Sequence, residues 1–233
     1  MLIEDALQEM TCDHINLKSE RYYNADGIPI PRVTEILSSM MHSDALMYWA
    51  NNLGFRGIKY AKALNDAARI GTIAHNTIEN FLRNKLEPSD IDNPSLKAFL
   101  AWYNLVISNG NSFTVVAMEQ RMTCQWFGGT FDLLCRINGR FFLVDFKTSN
   151  HVTEKYFLQL AAYVYMLRQA GQSVDGVIVL QLSKENEEFN EYILDYQIPE
   201  HAAFMDQCTV TFLALVYAWY NVQTARRQFK DIF

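Results

Sequence analysis

The stretch FDLLCRINGRFFLVDFKT, residues 131–148, constrains the fold of this chain more than any other. Two apolar runs flank Asn138-Gly139, and Asn-Gly between such segments is the strongest short-range hairpin signal, because both residues accept the positive φ of a type I′ turn. A two-residue loop fixes the register: Ile137 faces Arg140, Leu133 faces Val144, and Asp132 faces Asp145. Partners of this kind hold their Cβ atoms about 4.5–5.5 Å apart, and like charges directly opposite one another are destabilising. The opposite face pairs Phe131 with Phe146, Leu133 with Val144 and Cys135 with Phe142, and is expected to lie in the core. Lys147 follows Asp145 by two residues, so the period of a strand brings it to the side of both carboxylates. Two readings stand: the lysine bridges two surface acids, or the acids hold a hard divalent cation, for which carboxylate oxygen is the preferred ligand. In the second, Lys147 steadies a nucleophilic water or the charge that develops on a phosphate.

At 233 residues the chain is long enough for one sizeable core, and no shift in composition marks a linker. A hydrophobic share of 50% excludes disorder as the main state. The opening MLIEDALQEMTCDH is acidic and lacks the basic start and apolar stretch of a secretory signal. The segment CTVTFLALVYAWY, residues 208–220, is too short to span a bilayer and reads as a buried helix, so no membrane partner is expected. Cys12, Cys124, Cys135 and Cys208 show no C-x-x-C spacing, which excludes zinc knuckles and points to free thiols in a reducing, cytoplasmic setting. A net charge of −6 argues against nonspecific coating of DNA, so any nucleic-acid contact must be local.

The chain reads as a single domain in three parts: helices over about 34–110, a sheet with one crossover helix over about 113–198, and a terminal helix over about 199–230. Residues 15–30 form a short hairpin or arm turning at Asp26-Gly27, and Thr34 is placed to cap the helix after Pro31. Ser43 caps a helix stopping at Gly54, residues 55–70 form another, and Gly71 precedes a third that carries His75. Asn93 caps a helix with Pro94 at its first position, ending at Asn109-Gly110. Strands follow at 113–124, through the hairpin, and at GVIVLQLS and EYILDYQI, with a helix over 153–171 between them. Helices, three strands, a crossover helix and further strands imply an α/β mixed sheet covered by helices.

Several further residues stand out. Glu119 lies in the strand before the hairpin; the irregular QWFGG connection leaves its register open, so it is either an edge glutamate in solvent or a further acid near the cation. His75 and Glu79 share a helical face, and a lone histidine there is either structural or a ligand. Gln159 and Tyr163 share a face of the crossover helix, placed to orient the lysine, touch a phosphate, or fill an ordinary interface. Arg56, Lys59, Lys62 and Arg69 fall on one broad side of the helix leading toward His75, interrupted by Asp66; they form a phosphate-receiving stripe or a solvated face.

The order of these residues resembles the RecB-type branch of the PD-(D/E)XK nuclease superfamily. The motifs are Gly71 to His75 in GTIAH, Gly129 to Asp132 in GTFD, Asp145 to Lys147 in DFK, and Gln159 to Tyr163 in QLAAY; the early DGIPIPRVTEIL also looks like the opening segment of phage exonucleases and of the mitochondrial genome maintenance exonuclease. The resemblance implies a restriction-endonuclease-like fold with a central mixed sheet flanked by helices. It also implies Mg2+ or Mn2+ held by His75, Asp132, Asp145 and the backbone carbonyl of Phe146, with Asp132, Asp145 and Lys147 as the catalytic set. Gln159 and Tyr163, with Glu119, would be supporting residues. The four spaced cysteines that carry an iron-sulfur cluster in some relatives are missing, so none is expected. The implied activity is metal-dependent DNA exonucleolysis, in phage replication, recombination or repair and alongside partner proteins of those processes. The alternatives are a structure-specific endonuclease or resolvase on the same site, and a non-catalytic binding module.

Overall fold

The structure is a computed structural model that describes residues 21–41, 44–86 and 92–232. Its centre is a five-stranded sheet in the spatial order β3 (Phe113–Thr123), β4 (Gly128–Ile137), β5 (Arg140–Lys147), β6 (Gly176–Leu182) and β7 (Phe189–Asp195). All neighbours are antiparallel except β5 and β6, whose parallel pairing needs the crossover helix α5, Glu154–Gln169. Ahead of the sheet, among the described residues, stand a two-stranded arm, β1 (Tyr22–Tyr23) with β2 (Pro29–Ile30), and four helices: α1 (Val33–Met40), α2 (Asp44–Phe55), α3 (Tyr60–Leu82) and α4 (Pro94–Ser108). The chain ends in α6, Pro199–Ile232. The mixed sheet covered by helices is the expected architecture.

The hairpin has the predicted turn. Asn138 and Gly139 take φ of 53° and 79°, and the ladder runs from Ile137↔Arg140 to Leu133↔Val144. Beyond that pair the ladder stops, and the Asp132 carboxylate reaches across, its Oδ2 accepting the Phe146 N–H at 2.7 Å. The strands open just where the two acids sit, so neither the expected Asp132–Asp145 pairing nor the expected Phe131–Phe146 pairing forms. Phe131 joins the core under α1, α5 and α6, whereas Phe146 joins Leu133, Cys135, Phe142 and Val144 in the opposite core under α4.

Each face of the sheet thus has its own core. One holds Leu134, Leu143, Val177 and Val179 against Leu160, Val164, Leu167 and Phe212; the other holds Ile178 and Leu180 against Leu96, Phe99 and Trp102. Asn93 caps α4 as expected, accepting the Leu96 N–H at 3.0 Å, with Pro94 at the first helical position.

Four further expectations change. The break at Gly71 is absent: α3 is one 23-residue helix from Tyr60, because glycine weakens a helix without ending it when tertiary packing favours continuation. Thr34 lies inside α1, which begins at Val33 behind Arg32. α2 runs one residue past Gly54, while its expected cap Ser43 and residues 15–20 of the arm lie outside the described residues. Finally, α6 is 34 residues long and buries a single seam, Met205, Cys208, Phe212 and Val216, leaving Val210 and Tyr217 exposed. By length and composition alone α6 would suffice to cross a bilayer, but its apolar seam is occupied by the core beneath it.

Candidate active site

The opened end of the hairpin gathers side chains from five elements, β3 among them with Glu119. β4 supplies Asp132, β5 supplies Asp145 and Lys147, α3 supplies His75 and α5 supplies Gln159. Asp132 and Asp145 are 8% and 1% exposed, far below what carboxylates accept without partners. Asp145 finds two: Lys147 Nζ stands 2.6 Å from its Oδ2, and Gln159 Nε2 donates to its Oδ1 at 3.2 Å. Gln159 also donates to the Tyr163 hydroxyl at 3.4 Å, so the two α5 residues act as one strut behind Asp145. Tyr163 lies across Gly129, where any Cβ would come within 2.6 Å of the ring; this is why the strand carries glycine there.

His75 bridges both sides of the gap. Its Nε2 is 3.2 Å from the Phe146 carbonyl, and its Nδ1 is 3.4 Å from Glu119 Oε1 and 3.5 Å from Asp132 Oδ1. The edge of its ring also meets Phe146 at 5.8 Å between centroids. The strand register settles what the sequence left open for Glu119: it sits between the pairs Met118↔Leu133 and Gln120↔Phe131, alongside Asp132, with its side chain turned to His75.

The electrostatics follow from crowding. Burial opposes charge on His75, but Asp132 and then Glu119 outweigh it and raise its pKa to about 9. Burial, then the neighbouring Asp132, lifts Asp145 to about 6 against the pull of Lys147. Burial likewise raises Asp132, with His75 and Lys147 opposing, and burial drives Tyr163 well above the usual phenol range. Burial would lower Lys147, yet Asp145 and Asp132 hold it above the usual lysine range, so it is a fixed cation. Three acids around one histidine and one lysine carry a surplus of negative charge that a dication offsets.

The donor set fits one. Among the described residues, ligand atoms of His75, Glu119 and Asp132 lie within 4.8 Å of one another, an imidazole and carboxylates of the kind that suit Mg2+ and Mn2+. Asp145 lies beside this group on Lys147 and Gln159. One neighbour escaped the reading of the sequence. Tyr156 lies under the ammonium of Lys147, 4.9 Å from the ring centroid, and its hydroxyl donates to Ser149. Its spacing, three residues before Gln159 on the same helical face, was the available sign.

Other candidates lie elsewhere. Glu79 pairs with Arg83 at 2.7 Å rather than turning to the site. Arg56 and Lys59 precede α3 and only Lys62 and Arg69 lie on it, so the four do not form one helical stripe; all are exposed, and Arg69 stands 3.9 Å from Asp66.

No curated protein matches the chain by sequence. Among solved structures, the chain is similar to the crystal structure of SSO0001, at 13% identity and a TM-score of 0.34, covering 91% of this chain and 83% of that one. It is also similar to an alkaline exonuclease (LHK-Exo) from Laribacter hongkongensis, at 14% identity and a TM-score of 0.32, covering 72% of this chain and 88% of the other. The profile of the PD-(D/E)XK nuclease superfamily matches residues 95–228, more than half of the chain, a span that takes in Asp132, Asp145, Lys147 and Gln159 and begins after His75. A family match of this extent, carried by a sheet that opens on an Asp, Asp and Lys set, makes this chain a member of the PD-(D/E)XK nuclease superfamily.

Proposed function

We propose that this protein is a DNA exonuclease that hydrolyses phosphodiester bonds with Mg2+ or Mn2+ held by His75, Asp132, Asp145 and the Phe146 carbonyl, in DNA replication, recombination or repair. The carrying observation is the Lys147 ammonium, fixed 2.6 Å from Asp145 at the strand opening where Asp132, Glu119 and His75 converge. Exonuclease action in particular is supported by the likeness of DGIPIPRVTEIL to the opening segment of phage exonucleases. The bound cation supplies a Lewis acid for the scissile phosphate and lowers the pKa of a coordinated water.

The chain's own residues prepare the rest. Asp132 is locked by the Phe146 N–H, and Asp145 by Gln159, so neither carboxylate reorganises when substrate arrives. Asp145 and Asp132 hold the Lys147 pKa up against burial, so its ammonium is available to contribute charge to the oxygens of the reacting phosphate. Tyr156 beneath the ammonium fixes its direction.

Cleavage of end-labelled linear DNA, single- and double-stranded, beside a closed single-stranded circle in Mn2+ tests the reading. Linear DNA should shorten from its ends while the circle survives. Asp145→Ala and Lys147→Ala should each abolish cleavage with the fold retained by circular dichroism; activity persisting in either purified variant sinks the assignment. A cut circle would make the enzyme an endonuclease, and intact substrates throughout would leave a binding module.

A further inference from the structure

Resting on that reading, in which His75 holds the cation, we propose that Glu119 is its positioning residue: the carboxylate accepts a hydrogen bond from Nδ1–H of His75, which keeps the proton on Nδ1 and so presents Nε2, beside the Phe146 carbonyl, to the metal. The two sides of the ring differ in kind. Nδ1 lies 3.4 Å from Glu119 Oε1, an acceptor for a proton. Nε2 lies 3.2 Å from the Phe146 carbonyl oxygen, to which it donates while protonated; a cation held by both atoms would take the place of that proton. A metal-bound histidine almost always gives its other N–H to a carboxylate or carbonyl, which fixes tautomer and ring orientation. Asp132 is the poorer acceptor for Nδ1, at 3.5 Å and already holding the Phe146 N–H.

The strand is built to deliver this carboxylate. β3 changes register between Val115 and Ala117, and bulges of this sort re-aim side chains beside active sites. Glu119 itself takes φ of 48°. Among the described non-glycine residues the other positive φ values belong to Asn84 and Asn138, which lie in turns and are of the type that tolerates them. A glutamate so placed inside a strand is strained, and strain of this kind persists where function holds it.

Mn2+ binding, read as loss of the free-ion electron paramagnetic resonance signal at neutral pH, separates this role from the others. Wild type should bind. Glu119→Ala and Glu119→Gly should bind about 10- to 100-fold more weakly, while Glu119→Gln, whose amide oxygen still accepts from Nδ1, should keep most of the affinity. Glycine has no Cβ to strain at φ 48°, so Glu119→Gly should melt above Glu119→Ala, which shows that weak binding is not loss of fold. Because Glu119 acts through His75, adding Glu119→Ala to His75→Ala should weaken binding no further. Alanine or glycine variants that bind like wild type overturn the proposal, as does a glutamine variant as weak as alanine, which would make Glu119 a ligand. A wild-type protein that binds no Mn2+ overturns the proposed function itself and this inference with it.

Discussion

Gln159 makes no contact with the reacting phosphate in the reading given above, yet it is the residue on which the Lys147–Asp145 pair leans. Its amide holds Asp145 Oδ1 at 3.2 Å and is itself steadied by the Tyr163 hydroxyl, so Asp145 meets Lys147 through the one oxygen left to it. Removing the amide leaves both charges in place and frees one of them to rotate. Gln159→Ala is therefore expected to lower kcat by about 10-fold or more, with KM nearly unchanged, since outer partners of a metal-site carboxylate carry effects of that size. Stability should fall by only about 1 kcal/mol, the net worth of one hydrogen bond. Steady-state kinetics on a linear substrate decide it: a rise in KM at constant kcat would place Gln159 on the DNA instead.

At the scale of elements, the hairpin was readable because its information is local. Asn138-Gly139 accepts one turn type, that turn fixes the register as far as Leu133↔Val144, and Asp132, Asp145 and Lys147 follow at the end where the strands part. The continuation of α3 through Gly71 was not readable, because packing and not propensity decides whether a glycine ends a helix. Glu119 lay between: its strand was evident, but a bulge and a left-handed residue hide the direction of its side chain from any alternation rule. The basic residues ahead of α3 were misread as one stripe for a related reason, since the helix starts later than its pattern suggests and leaves Arg56 and Lys59 on the loop before it. Arg56, Lys59 and Lys62 are exposed and close in sequence, with His75 about 20 Å further along the helix axis from Lys62, and the proposed function predicts that they meet the nucleic-acid backbone. Changing all three to alanine should raise KM, leave kcat alone, and make the dependence of log KM on log salt shallower by roughly 2 for a single strand. An unchanged salt dependence would return them to the solvated face of a helix.

At the scale of the molecule, the site exists because two cores grip the same sheet from opposite sides while its strands part at one end. The grip is polar as well as apolar. Trp102 donates to Glu191 at 2.8 Å and Ser95 to the Ser183 carbonyl at 3.0 Å, tying α4 to the far strands. On the other end of the sheet, Arg140 at the start of β5 reaches over β6 to Asp195 at the close of β7, forming two hydrogen bonds of 2.8 and 2.5 Å. That fork joins three strands at the end away from the catalytic opening, and it sets one part of the response to acid. The Arg140 guanidinium holds the Asp195 carboxyl down to about 2, aided by the Gln197 N–H, against an ordinary value near 4. With the folded pKa below the unfolded one, the stabilisation is complete above about pH 4 and disappears as the pH falls through about 2, because the folded chain must then take up the proton it has refused. Both side chains are about a quarter exposed, so screening by water limits the contribution to roughly 1 kcal/mol. Chemical denaturation of wild type and Asp195→Asn should accordingly differ by about that amount between pH 5 and 7, and the curves should converge towards pH 2. A difference that stays constant across the whole range would mean that the contact acts through shape and hydrogen bonding, with its charge contributing nothing.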